Sequence, residues 1–395
     1  MGSLRQVLAI TWMNLRSVPQ RPGASLVVIV GIAGVVAVLV SVLSMAQGFR
    51  HTLASTGRPD RAILLRSGSD AELASSIARD QAQILANTPE IARDSQGQPL
   101  ASAELVVVAD LPRRDTGTPS NVPFRGVQPA AFAIRDELRL VQGRRFGAGL
   151  REVIVGQKAA QQFQGLEVGA RIDFRDSDWE VVGIFASGGD VHESEVWADA
   201  ETAVSAFRRL GFQSMTAKLA ITDDLDALRQ RIDADPRFSI SVLREPEYYA
   251  KQSQLLGTLI NVLGYTVASF MAIGAMFGAL NCMYSAVASR QVEIGTLRAI
   301  GFGAAPVVVS VMAEALLLAL IGGTAGGALA YLYCDGASLS TLNFETFSQV
   351  AFDFRITPAL LGQGVLWALA IGLLGGLPPA IRAARLPVTE ALRSS

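Results

Sequence analysis

Lysine is nearly missing from this sequence, and so are cysteine and histidine. Lys158, Lys218 and Lys251 are the lysines, Cys282 and Cys334 the cysteines, His51 and His192 the histidines. Basic charge is thus almost all arginine, which reads as genome composition and not as a phosphate-binding surface. Two cysteines at far ends of separate apolar segments form no disulfide framework, since bridging needs Cα atoms within about 7 Å; both are expected free. The histidines sit in no metal-ligand spacing and are expected at the surface. The net charge is −1 with no basic patch, which excludes nucleic acid as a partner. No Gly-x-Ser-x-Gly, His-Glu-x-x-His or Cys-x-x-Cys pattern occurs, and no Gly-Lys-Ser/Thr follows a glycine-rich turn. No catalytic residue, metal site or cofactor is therefore expected on this chain, and it carries no phosphate-cradling loop for ATP.

Charge in general is scarce. Only 17% of residues are Asp, Glu, Lys or Arg, against about 25% in soluble domains, and the deficit is concentrated. Between Arg21 and Arg50 there is no charge, nor between Lys251 and Arg290. From Pro306 to Cys334 the one Asp, Glu, Lys or Arg is Glu314, and a fourth run lies between Arg355 and Arg382. Each holds the roughly 20 apolar residues that cross a bilayer. The expected fold is an α-helical membrane protein with four transmembrane helices and a large α+β periplasmic domain between helices 1 and 2. The expected segments are 1–23 (cytoplasmic), 24–48 (first span), 49–251 (periplasmic domain), 252–288 (stalk and second span), 289–305 (cytoplasmic helix), 306–334 (third span), 335–356 (short periplasmic loop), 357–381 (fourth span) and 382–395 (cytoplasmic tail).

Arginine beside the spans gives the direction. Arg5, Arg16 and Arg21 precede the first; Arg290 and Arg298 lie between the second and third; Arg382, Arg385 and Arg393 follow the fourth. The loop with Asp335, Glu345 and Asp353 has Arg355 alone. By the positive-inside rule both termini are cytoplasmic. Ser44-Met45-Ala46 resembles a signal cleavage site, but the apolar run exceeds the 7–15 residues of a signal core, so an intact span is expected. Gly274 and Gly278, Gly322 and Gly326, Gly323 and Gly327, and Gly372 and Gly376 lie four apart, a spacing that lets helix backbones approach in lipid.

The stretch from Phe49 to Lys251 alternates strand and helix patterns. Arg61–Arg66 reads as a strand, Glu72–Ala86 as a helix and Glu104–Ala109 as a strand. Met215–Ile221, Asp223–Ala234 (Asp223 as N-cap) and Phe238–Leu243 repeat the order. The two βαβ units flank a β-rich insertion near 111–212, with a hairpin of Arg171–Arg175 and Trp179–Phe185 turning at Asp176-Ser177-Asp178. Leu111–Pro123, rich in Pro, Gly and Thr, reads as an exposed mobile loop. Asp190, His192, Glu193 and Glu195 read as solvated loop residues.

One segment carries a specific pattern. Ser289-Arg290-Gln291-Val292-Glu293-Ile294-Gly295-Thr296-Leu297-Arg298-Ala299-Ile300-Gly301 resembles the R-x-x-E-I-G-x-x-R/K-A-x-G loop of the MacB/FtsX-like ABC permease family (mechanotransmission type). Glu314-Ala315-Leu316 with Gly322-Gly323, the tail from Pro379 to Arg393, and the phrases Gln142–Phe146 and Trp179–Ile184 are similar to other parts of that family, over essentially the whole chain. Independently, Gly301 and Gly303 read as ending a short helix, Pro306 suits the first turn of the next, and Val292, Ile294, Leu297 and Ile300 do not share one stripe. Such mixing suits an element gripped by protein on several sides.

The resemblance implies a permease subunit, not an enzyme, whose coupling helix is gripped by a separate ABC ATPase present in two copies, with ATP and Mg bound on that partner. Its contact residues would be Arg290, Glu293, Ile294, Leu297, Arg298 and Ile300. It also implies a second permease chain, identical or not, and leaves room for a periplasmic adaptor, lipoprotein or carrier, besides membrane lipid. The work expected is export or release of a lipoprotein, peptide or other amphiphile. The alternative is ATP-driven control of a periplasmic hydrolase with nothing transported. Glu314, about 12 Å along its helix from Pro306, is an intramembrane carboxylate; a structural pairing with Arg298 or Arg382 is expected.

Overall fold

The computed structural model describes residues 11–12, 22–174, 177–343, 348–385 and 387. Expectations resting on Arg5, Arg16, Arg21, Arg175, Asp176, Glu345 and the tail residues Leu386 and Val388–Arg393 lie outside the described residues. The chain divides into two compact units: a helical one from Met1–Gln47, Thr258–Ala337 and Phe354–Ser395, and an α+β one from Gly48–Gly257 and Ser338–Asp353.

The elements begin with α1 (Pro22–Ala54), β1 (Arg61–Arg66), α2 (Arg79–Ala86), β2 (Ala101–Pro112) and β3 (Pro119–Val127). Next come α3 (Ala131–Ile134), β4 (Arg139–Gly143), β5 (Glu152–Gly156), α4 (Gln157–Gln162), β6 (Arg171–Asp173) and β7 (Asp178–Ala186). Then follow β8 (Val196–Asp199), α5 (Ala200–Ala206), β9 (Ser214–Lys218), α6 (Leu225–Ala234) and β10 (Ile240–Arg244). The last are α7 (Glu245–Ser289), α8 (Gln291–Ala299), α9 (Ala304–Cys334), β11 (Ser338–Asn343), β12 (Ser348–Asp353) and α10 (Pro358–Arg385).

Helices α1, α7, α9 and α10 are long and apolar enough to cross a membrane. Helix α7 has 45 residues, about 67 Å at 1.5 Å per residue, over twice a hydrocarbon core of roughly 30 Å. It begins at Glu245, inside the stretch assigned from the sequence to the α+β domain. In the helical unit small residues set the packing. A Cβ on Gly326 would lie 2.4 Å from the Ala33 carbonyl oxygen, and one on Gly322 2.9 Å from that of Ile29. Toward α10, Gly323 faces Ala368 and Gly327 faces Leu361, while Gly372 and Gly376 face Ala319 and Ala315. Ile32, Val36, Leu318 and Ile371 fill the spaces between. Gly274 and Gly278 differ: among the described residues nothing lies within 4 Å of an added Cβ at either. Four-residue spacing sets a face but not what meets it. Cys282 and Cys334 are free thiols.

The α+β unit is built on a sheet ordered β10-β1-β9-β2-β3-β8-β5-β7-β4, with β6 on β7. Strand β1 is antiparallel to both β9 and β10, and β9 to β2. The two βαβ units therefore interleave, each receiving a strand of the other, the split form of that motif. Strand β2 joins the two halves: Ala101–Glu104 pair with β9, and Leu105–Pro112 with β3. Aromatic packing of Phe124 with Phe174, Trp179 and Phe207 centres the core.

Several local expectations change. Leu111–Pro123 is no mobile loop, because β2 runs to Pro112 and β3 starts at Pro119, with Leu111 and Val122 buried. The helix expected over Glu72–Ala86 breaks into a 3-10 turn, Glu72–Ala74, and α2, because Ile77 is drawn into a β-bridge with Phe212. Asp223 is not the N-cap of α6; Asp224 holds that position, its carboxylate accepting from the Ile221 N–H instead. The stretch expected as a plain loop at 335–356 holds the antiparallel hairpin β11–β12.

Candidate functional site

Helix α8 lies in a cradle made by the end of α7 and the start of α9. The chain leaves α7 at Ser289, and Arg290 takes the cap position, its carbonyl accepting from the Ile294 N–H at 2.9 Å. At the other end Gly301 takes φ +103°, a left-handed value that glycine adopts without Cβ strain. Gly303, expected to end this helix, instead caps α9. Ile294 and Gly295 are the buried positions of α8, and Ile294 packs with Met283, Val287, Val307 and Val311.

The centre of the cradle is ionic. Arg290 Nη1 donates to Glu314 Oε2 at 3.1 Å, with the two side chains 6% and 7% exposed. The arginine seen on Glu314 is thus Arg290, which the sequence reading does not name beside Arg298 and Arg382. Arg382 stands over the Tyr284 ring at 5.6 Å, and the third arginine at this end of the helices, Arg290, is carried to Glu314 by the turn between α7 and α8. A cavity of about 20 Å³ remains, lined by Arg290, Glu293, Ile294, Leu297 and Glu314 among others, room for about one water.

The opposite face of α8 is open. Val292 is 42% and Ile300 72% exposed, and Glu293, Thr296 and Ala299 are exposed with them. Leu297 and Arg298 lie at the border, half-buried. The residues singled out in this loop thus split: Arg290 and Ile294 fasten the helix to its own chain, Ile300 is exposed on the far side, and Glu293 is exposed yet also lines the cavity.

The α+β unit holds a second polar concentration that sequence reasoning missed. Arg125 on β3 donates to Glu72, Glu104 and Glu195 at 2.7–2.8 Å, and Arg135 donates to Glu104 at 2.7 Å. Burial alone would raise the Glu104 pKa, but Arg135 and Arg125 outweigh it and hold the group at about 2. Arg61 extends the network to Glu137 at 2.6 Å and Glu245 at 3.5 Å. These groups sit at the seam where β2 changes partner.

Beside the seam, Asp190, His192, Glu193 and Glu195 are all buried, contrary to the solvated loop expected from the sequence. Asp190 caps the 3-10 turn Val191–Ser194, accepting from the His192 backbone N–H, and its other oxygen meets His192 Nδ1 at 3.0 Å. Burial by itself lowers the His192 pKa, but Asp190 raises it more. Among the described residues no group of His, Cys, Asp and Glu has a metal-binding arrangement. His51 is exposed, as expected.

Comparison with known proteins agrees with both units. Residues 25–235 match the MacB-like periplasmic core domain, and residues 265–388 match the FtsX-like permease C-terminal domain. The uncharacterized ABC transporter permease YknZ of Bacillus subtilis is 23% identical over 96% of this chain and 98% of its own length. The pyoverdine export ATP-binding/permease protein PvdT of Pseudomonas aeruginosa is 25% identical over 93% of this chain; the chain spans 55% of that protein. The crystal structure of the extracellular domain of the ABC-type transporter YknZ from Gram-positive bacteria aligns at 15% identity over 46% of this chain and 99% of that one, with a TM-score of 0.36. Four apolar helices, an α+β unit after the first of them, and two family domains that together span most of the sequence make this chain a membrane protein of the MacB/FtsX-like family of ABC transporter permeases.

Proposed function

We propose that this chain is the permease subunit of an ABC transporter and that α8 is the element through which a separate ATPase drives it. The open face of α8 carries the reading. Val292 and Ile300 are apolar and exposed, while the other face is locked to α7 and α9 through Ile294 and the Arg290–Glu314 pair. A helix rigidly held on one side and apolar on the other is suited to pass a push from a partner into the helices behind it. The ATP-binding/permease name of the relative PvdT, a pyoverdine exporter, favours transport over control of a hydrolase.

In this reading both termini and α8 are cytoplasmic, the α+β unit is periplasmic, and two ATPase subunits bind ATP and Mg beneath a pair of permease chains. The substrate is a peptide, lipoprotein or other amphiphile moved or released on the periplasmic side. The test is reconstitution with the ATPase that copurifies from native membranes. Val292→Asp with Ile300→Asp should abolish stimulation of ATP hydrolysis and ATPase retention while membrane insertion stays normal. Retention and stimulation at the level of the unsubstituted chain would refute the reading.

A further inference from the structure

Three parts of the α+β unit that continue into the apolar helices meet at one buried turn. Helix α1 ends at Ala54, and the Thr56 hydroxyl just beyond it accepts from the Val191 N–H at 3.2 Å. Helix α7 brings Tyr249, whose hydroxyl lies 3.4 Å from His192 Nε2. The hairpin β11–β12, the link between α9 and α10, brings Ala351, whose N–H donates to Ser194 Oγ at 3.0 Å. Val191, His192 and Ser194 are successive or alternate residues of the same 3-10 turn.

The turn is built to resist deformation. Asp190 accepts from the Ser187 hydroxyl and from the His192 N–H. Glu193 Oε1 accepts from the N–H groups of Ser187 and Gly189, both at 2.8 Å. Its back lies so close to β5 that a Cβ on Gly156 would stand 2.2 Å from the Glu193 carbonyl oxygen.

The hairpin, in contrast, has little means of holding itself. An isolated two-stranded hairpin is marginal in water, and this one is secured from outside. Lys158 reaches Asp353 at 3.2 Å, and Arg113 donates to Ser340 at 2.8 Å and Gln349 at 2.7 Å. Phe352 is fully buried, edge-on to Phe49 at 5.5 Å. A Cβ on Gly48 would lie 2.1 Å from the Asp353 carbonyl oxygen, so α1 and the hairpin are in backbone contact.

We infer that the Asp190–Glu195 turn is a coupler, and that β11–β12 is a third strap on the α+β unit beside α1 and α7, its attachment energetically linked through the turn to the start of α7. The inference goes beyond the permease reading and needs no ATPase, so the two stand or fall separately.

The experiment is a double-substitution cycle followed by hydrogen exchange on the full chain in lipid nanodiscs. Ser194→Ala removes the acceptor for the hairpin, and Tyr249→Phe removes the hydroxyl facing His192. Each should speed exchange about three- to tenfold, the loss of roughly one net hydrogen bond, both at 349–353 and at 247–253. The double variant should fall clearly short of the product of the singles, as coupled neighbours do. A second pair, Lys158→Ala with Asp353→Ala, loosens the hairpin without touching the turn and should also speed exchange at 247–253. Changes confined to the substituted side, or a double variant equal to the product of the singles, would overturn the coupling.

Discussion

The Arg290–Glu314 pair gives the most demanding test of the cradle. Both side chains are more than nine-tenths buried, and Glu314 lies in the first third of an apolar helix whose other residues carry no charge. Removing one member of a buried pair strands the other charge and costs about 3–5 kcal/mol, whereas replacing both by apolar groups of similar size is often neutral. Glu314→Ala should therefore cost about that amount in the detergent-solubilised chain, a fall in Tm of roughly 6–20 °C at 2–4 °C per kcal/mol. Glu314→Gln keeps a hydrogen-bond acceptor but not the charge, and should fall between Ala and the unsubstituted chain. Arg290→Met with Glu314→Leu should recover most of the lost Tm. If the pair serves to orient α8, that stable double variant should still fail to stimulate ATP hydrolysis. A Glu314→Ala variant within about 1 kcal/mol of the parent would refute the energetic argument, and a double variant as unstable as the sum of the singles would show that the two groups do not act as a pair.

Other outcomes follow from single contacts. Gly326→Ala places a methyl 2.4 Å from the Ala33 carbonyl oxygen and should cost about 1–3 kcal/mol by overpacking; Gly274→Ala, whose added methyl meets nothing within 4 Å among the described residues, should leave the Tm of the monodisperse chain unchanged or slightly raised, and a reversed order would contradict the packing described. Because the His192 pKa is raised on folding, its stabilisation is fully present below its unfolded value near 6.5 and is lost as pH rises through the folded value. The Tm advantage of the parent over His192→Gln should accordingly shrink with increasing pH, and a gap that widens would reverse the assignment. In a background without Cys282 and Cys334, a cysteine at exposed Gln96 should react with an impermeant thiol reagent in intact spheroplasts while one at Ser289 does not; the opposite pattern would invert the proposed orientation.

Legibility in the sequence followed the physics of each signal. The apolar helices were readable because charge in hydrocarbon is so costly that its absence over 20 residues has few other causes. The alternation at the start of β7 and in β10 was readable for a similar reason, and β1 as a short continuous apolar run buried on both faces. Arg125 and its carboxylates were not, because a charged residue is assumed solvated unless a partner is seen, and its partners Glu72, Glu104 and Glu195 are 53, 21 and 70 residues away. The same assumption put His192 and Glu195 at the surface. The hairpin β11–β12 was missed because Ser338, Ser340, Thr341 and Gln349 give little hydrophobic alternation; its order comes from docking, which local sequence does not encode. For Glu314 the need for an arginine was legible from one residue, while the reach of Arg290 was set by the turn after Ser289.

The two units also show why one kind of contact was easier to anticipate than the other. In lipid there is no hydrophobic drive between helices, so close approach of small residues has to supply the attraction; glycine spacing reports it directly, as at Gly322 and Gly326. In the α+β unit burial already favours collapse, and what remains to be specified is register at the seam where β2 exchanges β9 for β3. A slip of one residue there would turn Glu104 from Arg125 and Arg135 to the opposite face of the sheet, parting it from both arginines that hold it. The ion network is thus poorly suited to adding stability, since its desolvation offsets much of its attraction, and well suited to excluding the neighbouring register. Replacing Glu104, Arg125 and Arg135 by Leu, Met and Met, with Glu72→Gln and Glu195→Gln so that neither of Arg125's other carboxylates is left buried without its counter-charge, should then leave the melting temperature little changed while broadening the amide resonances or exchange profiles of β2 and β3. A variant that is sharply ordered and equally stable would show that the network specifies nothing.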